Sequence, residues 1–150
     1  MPHFGLMNEG ALGPVEGPRQ RARLHLRGAR RRLNQGKISA GIVTLFDAVE
    51  GALQSSVESP ELRSRLRIEP GDDLNKSRVQ YAVLVRSGVL DHHSFDFDGF
   101  DRLTDTALVK DLPSDFDYQK LLSDVEALLT RLQILPFDES TLPPEDPKTF

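Results

Sequence analysis

The stretch GVLDHHSFDFDGFD, residues 88–101, sets His92 and His93 among Asp91, Asp96, Asp98 and Asp101. Imidazole nitrogens and carboxylate oxygens are the donors a divalent cation takes, and they also serve acid/base chemistry. The spacing argues against both. Adjacent histidines project in different directions on a helix or a strand, so one ion does not readily take the pair. Counted from Asp96 as the first position of a calcium loop, the fifth is Phe100 and the sixth, which should be glycine, is Asp101. Phe95, Phe97 and Phe100 instead predict side chains that alternate inward while the aspartates stay wet. Asp98 is then expected to cap a helix starting near Gly99. The stretch reads as an acidic connection, with no metal and no cofactor.

A second constellation is RQRARLHLRGARRR, residues 19–32, which holds seven arginines and no acid. Arg19, Arg23 and Arg27 follow at i, i+4 spacing, with Arg30 and Arg31 next in the row. Guanidinium forks so spaced can track phosphates, which makes these five the candidate nucleic-acid contacts. No aromatic residue in the stretch is placed to stack a base. The other reading is a solvated face, or a partner for acidic residues such as Asp138, Glu139, Glu145 and Asp146. The net charge of −4 weighs towards it. A third feature is the pair Asp47 and Glu50, which interrupts the most apolar segment. If either lies in a cleft it would pair with an arginine of the preceding helix; the commoner reading is that they occupy the helix's exposed side.

The elements that must position these groups are helical. Ala22, Leu26, Ala29 and Leu33 form one stripe of a helix stopped by Gly36, a natural left-handed terminator. Ile38, Ile42, Leu45, Phe46, Val49 and Leu53 lie on one face of the next, expected to be central to the core. Its interior Gly41 and Gly51 mark close approach of another helix backbone. Ser59-Pro60-Glu61 starts a short helix. Asp72 or Asp73 is expected to cap a helix through Leu84, stopping at Gly88. Phe100, Leu103 and Ala107 define another, and Asp115 or Asp117 opens a last one carrying Leu121, Leu122, Val125, Leu128, Leu129 and Leu132. This predicts an all-α, up-and-down bundle of four long and one or two short helices over residues 19–134. Residues 1–18, rich in glycine and proline, are expected to be flexible, and residues 135–150 to form a proline-rich acidic tail.

The 150 residues suffice for one domain with a core of its own. The absence of cysteine excludes disulfides, thiol nucleophiles and sulfur-ligated zinc, and fits a cytoplasmic protein. No apolar run approaches the roughly 20 residues a membrane helix needs. There is no glycine-rich phosphate loop, nucleophile elbow or His-Glu-x-x-His motif. Charge is divided unevenly: residues 1–90 carry 14 basic and 9 acidic side chains, net +5, and residues 91–150 carry 5 and 14, net −9.

Taken together, ARLHLRGARRRLNQGKISAGIVTLFDAVEGAL, residues 22–53, resembles the opening helix pair of the HEPN superfamily, the higher-eukaryote and prokaryote nucleotide-binding domains. The matching positions are Ala29, Leu33, Gly36, Ala40, Phe46, Ala48 and Ala52, over about a fifth of the chain. The resemblance implies a helical, commonly dimeric domain, either an RNA-cleaving toxin or a noncatalytic partner of a nucleotidyltransferase. The family's ribonuclease motif, arginine then histidine after four to six residues, falls on Arg86 and His92, although Gly88 interrupts the helix on which both would stand. With no complete catalytic set, the reading favoured is a noncatalytic interaction module, homodimeric or bound to a protein partner. Leu135, Phe137 and Leu142 in the tail are the candidate docking anchors. Nucleic-acid association through the arginine row is the alternative.

Overall fold

The computed structural model describes residues 9–91 and 95–149, and among these there are helices and no strands. The chain is an all-helical bundle: α1 (Glu9–Asn34), α2 (Ile38–Glu58), α3 (Pro60–Arg63), α4 (Ser77–Arg86), α5 (Phe97–Val109) and α6 (Gln119–Arg131), followed by 3₁₀ turns at Glu139–Thr141 and Pro147–Thr149. No helix among the described residues is long and apolar enough to cross a membrane.

The α1–α2 pair is an antiparallel hairpin closed at Gly36, whose φ of 79° takes the left-handed conformation expected of it. Its stripe is the one read from the sequence, since Ala22, Leu26, Ala29 and Leu33 are all buried. Both interior glycines of α2 are close-approach points. A methyl group on Gly51 would stand 2.8 Å from the Pro18 carbonyl and 3.1 Å from the Ala22 nitrogen, and one on Gly41 would stand 2.6 Å from Leu33 Cδ2. α1 begins earlier than the sequence pattern suggests. It breaks at Gly13, where φ is 90° and ψ 179°, and restarts with Pro14. Proline suits a first helical turn, where its missing N–H would have no partner. The Ser55 hydroxyl then donates to the Val15 carbonyl at 2.9 Å and fastens this end to α2.

α2 is the hub, packing against α1, α3, α4, α5 and α6. Ile42, Leu45, Val49, Ala52 and Leu53 are wholly buried, and each large aliphatic side chain withdrawn from water contributes about 1.5–3 kcal/mol. On its α5 side, Phe46 meets Phe97 and Phe100 with ring centroids 5.8 and 5.2 Å apart, and Tyr81 of α4 stacks on Phe97 at 5.1 Å. Phe95, Phe97 and Phe100 are thus all inward, as their alternation implied.

Several boundaries differ from expectation. The cap of α5 is Asp96, whose Oδ1 accepts from the Gly99 amide at 3.0 Å, and not Asp98. Starting the helix at Phe97 puts Phe97 and Phe100 three apart on one buried face. α4 starts at Ser77 because Asp72 serves another end: it accepts from the Glu69 amide and from Arg86. α6 ends at Arg131, and Gln133 adopts a left-handed φ of 64° that lets the Ile134 amide reach the Leu129 carbonyl at 2.8 Å. This closure turns the chain back so that Ile134 is fully buried.

Two stability measurements follow from this packing. Gly51→Ala is expected to lower the unfolding free energy by about 1–3 kcal/mol, since the added methyl meets backbone and not a pliable side chain. Urea unfolding should show a lower midpoint with an unchanged slope. Gln133→Gly should raise the unfolding free energy by about 0.5–1 kcal/mol, and the midpoint with it, because relief of the left-handed strain exceeds glycine's greater freedom in the unfolded chain.

Candidate functional site

With its apolar stripe against α2, α1 must carry its arginines around the remaining arc, and the acidic second half of the chain comes to meet them. Arg23 Nε donates to the Ile134 carbonyl at 3.2 Å and its guanidinium lies 5.8 Å from the centroid of the Phe137 ring. One turn on, Arg27 Nη2 donates to the Pro143 carbonyl at 2.8 Å. A further turn on, Arg31 Nε donates to Glu145 Oε1 at 3.0 Å. Arg30, beside the row, donates through Nε to Glu126 of α6 at 3.0 Å, and Arg19 pairs with Glu16 in its own helix.

The row therefore holds an extended segment of this same chain. Residues 134–146 run along it, with Asp138 capping the 3₁₀ turn through the Ser140 amide and Leu142, next to the Pro143 carbonyl that Arg27 holds, buried. Leu135, Phe137 and Leu142, expected as anchors for a partner, are seated on this chain's own core. Two physical features make the fit. Proline-bearing segments leave backbone carbonyls without intrachain donors, and arginine supplies donors. The segment's carboxylates meet cations that burial has partly stripped of water. Burial, reinforced by Arg19 and Arg31 respectively, holds the guanidiniums of Arg23 and Arg32 below the usual arginine range. A cleft of about 400 Å³ remains between α1, α2, the end of α5 and this segment, lined by Arg27, Arg31, Arg32 and Thr44 and edged by Glu145 and Asp146.

Across α1 lies a second cavity of about 260 Å³, lined by polar and charged residues, and it contains the group that sequence reasoning passed over. His25 is only 4% exposed, and its Nδ1 stands 3.5 Å from Asp47 Oδ2. His25 follows Arg21 by one turn, and both face the acidic pair of α2. Burial, followed by repulsion from Glu50, pushes the Asp47 carboxyl up to about 6, against the opposing pull of Arg21 and Arg32. Burial raises Glu50 as well, opposed by a hydrogen bond with the Ser77 side chain and by Arg21. Ser77 opens α4, where Lys76 provides no side-chain cap. Glu50 thus places its negative charge at the positive end of a neighbouring helix. Of the expected pairing of Asp47 and Glu50 with α1, the close contact is Asp47 with His25, while Arg21 acts on both carboxylates through its charge.

The remaining candidates do not assemble into a catalytic site among the described residues. Arg86 closes α4 and is fully engaged in holding the loop before it, donating to the Arg67 carbonyl and to Asp72 at 2.8 Å each, with Glu69 at 3.6 Å. His92 and His93 lie outside the described residues. Asp98 and Asp101 both face Arg78, at 3.9 and 3.1 Å. No three histidine or acidic side chains among the described residues converge as metal ligands would. Comparison with protein-family models, with curated proteins and with solved structures gives no match.

The Asp47 site has a measurable pH signature. A carboxyl that titrates near 6 when folded and near its ordinary 3.8 when unfolded favours the folded state only while protonated. Its ionisation therefore costs stability as pH rises from about 4 to about 6, and the penalty is complete above that. Asp47→Asn should raise the thermal midpoint at about pH 7.5, with the gain shrinking towards zero near pH 4. Differential scanning calorimetry across that range checks the sign.

Proposed function

We propose that the chain is a noncatalytic protein-interaction module whose arginine face on α1 receives an acidic, proline-bearing segment with an aliphatic anchor. The observation that carries this reading is the way residues 134–146 lie on that face. Arg23 and Arg27 engage main-chain carbonyls, Arg31 takes a carboxylate, and Leu142 of the same segment is buried. Carbonyl recognition suits extended segments of many sequences, while the buried leucine and the ion pair add selectivity. A partner segment of the same chemistry, whether from another protein or from a second copy, competes with the chain's own.

The arginine row has the alternative use of tracking a nucleic-acid backbone, and one experiment separates the two. In the full chain, Leu142→Ala with Glu145→Gln loosens the resident segment. That variant should bind a labelled peptide of residues 136–150, with affinity that falls as salt rises. Adding Arg27→Gln and Arg31→Gln should remove the binding. The unsubstituted chain should bind the peptide about tenfold more weakly, since its own segment occupies the face. A folded, loosened variant that ignores the peptide and instead binds a mixed RNA pool would overturn the reading.

A further inference from the structure

The cations of α1 are spread along its length, but the acidic tail meets only part of them. Near Arg19, a cavity of about 290 Å³ opens between α1, the α2–α3 junction, the turn after α4 and the end of α6. Three arginines line it, Arg19, Arg65 and Arg131, against the single acidic residue Glu61. The hydroxyl-bearing residues Ser56 and Ser59 complete the polar wall.

The hydrogen bonding of these groups is incomplete. Arg19 Nη1 is taken by Glu16, but its Nε is buried with no acceptor. Arg131 Nε donates to the Val89 carbonyl, and its charge meets no carboxylate among the described residues. Arg65 is exposed, and among those residues its guanidinium makes neither a hydrogen bond nor an ion pair. A buried N–H without an acceptor is uncommon in folded proteins, because its lost hydration is not replaced. Here it belongs to a residue of the cavity lining, where Arg65 and Arg131 share its sign and Glu61 alone opposes it.

We propose that this cavity binds a small phosphorylated molecule through its phosphoryl group. Three arginines against Glu61 leave the lining positive even with Glu16 answering part of the Arg19 charge, which favours an anion over a neutral ligand. Planar guanidinium forks also match the tetrahedral oxygens of a phosphoryl group. The walls come from four separate parts of the fold and enclose the space, which suits a compact ligand better than a polymer backbone. The volume leaves room beside one phosphoryl group for a second, or for a small organic portion. This site is distinct from the segment-binding face, and its failure would leave that reading untouched.

The test uses the full chain and two probes, inorganic phosphate and pyrophosphate, in thermal unfolding against sodium chloride at matched ionic strength. The midpoint should rise by about 3 °C once the probe stands at about ten times its dissociation constant. Arg65→Gln, at an exposed side chain with no partner among the described residues, should leave the ligand-free midpoint unchanged and weaken binding by about tenfold. Arg131→Gln should weaken binding similarly, while Arg102→Gln, an exposed arginine outside the lining, should leave it intact. Broadening of the phosphorus resonance on adding protein, lost in Arg65→Gln, gives a readout independent of stability. The proposal is overturned if neither probe exceeds chloride, if the response persists unchanged in both the Arg65 and Arg131 variants, or if RNA alone produces it.

Discussion

The close approach of α1 and α2 is the constraint on which the rest of the structure depends. At Gly51 the two backbones are so near that even a methyl group has no room. α1 carries seven arginines and is a poor helix to bury, yet its small residues Ala22 and Ala29 let it lie flat against the most apolar helix in the chain. That contact fixes the rotation of α1 about its axis. Once the alanine and leucine stripe is inward, the direction of every arginine is decided. The polar cavity on one side, the segment-binding face on the other and the cation-lined cavity near Arg19 follow from that one rotation.

A row of half-buried cations needs acceptors, and the uneven charge of the chain supplies them. Ion pairs at such partly exposed positions contribute little net stability, about 0–1 kcal/mol each. The segment after α6 is therefore held mainly by burial of Ile134 and Leu142 and by arginine bonds to carbonyls. Charge selects where the segment lies more than it decides how firmly it stays. This division matters for exchange: a segment held by two apolar anchors opens at a lower free-energy cost than a core helix, and so belongs to the low-stability end of the molecule.

Much of the fold was legible because helical periodicity is local physics. The stripe of α1, the buried face of α2, the Gly36 stop and the inward phenylalanines all follow from spacing alone. What was not legible depended on competition between residues of the same type. Asp96 and Asp98 are equally good caps in isolation, and the choice falls to Asp96 because Phe97 and Phe100 must share a face. Asp72 looks like a cap for α4 until Arg86 is brought to it by the fold. His25 lies inside the arginine stretch, between two buried positions of the stripe. Its significance appears only when α2 places Asp47 opposite. A histidine within a buried helical stripe, facing a carboxylate on the next apolar helix, is the signal that would have found it.

The arginines read as one row in sequence, but they divide into two populations in space. Arg23, Arg27, Arg30 and Arg31 are matched by carbonyls and carboxylates of the second half, so their charges are largely answered within the chain. Arg19 pairs with Glu16 and shares a cavity lining with Arg65 and Arg131, two residues that no sequence pattern links to it and that bring further positive charge. Mutual repulsion disfavours such a gathering unless something of opposite sign offsets it. The fold tolerates it because α2 and α6 fix the positions of the helices regardless. A cluster in which positive charge outnumbers negative, held in place by packing more than by its own ion pairs, is preorganised for an anion supplied from outside the chain.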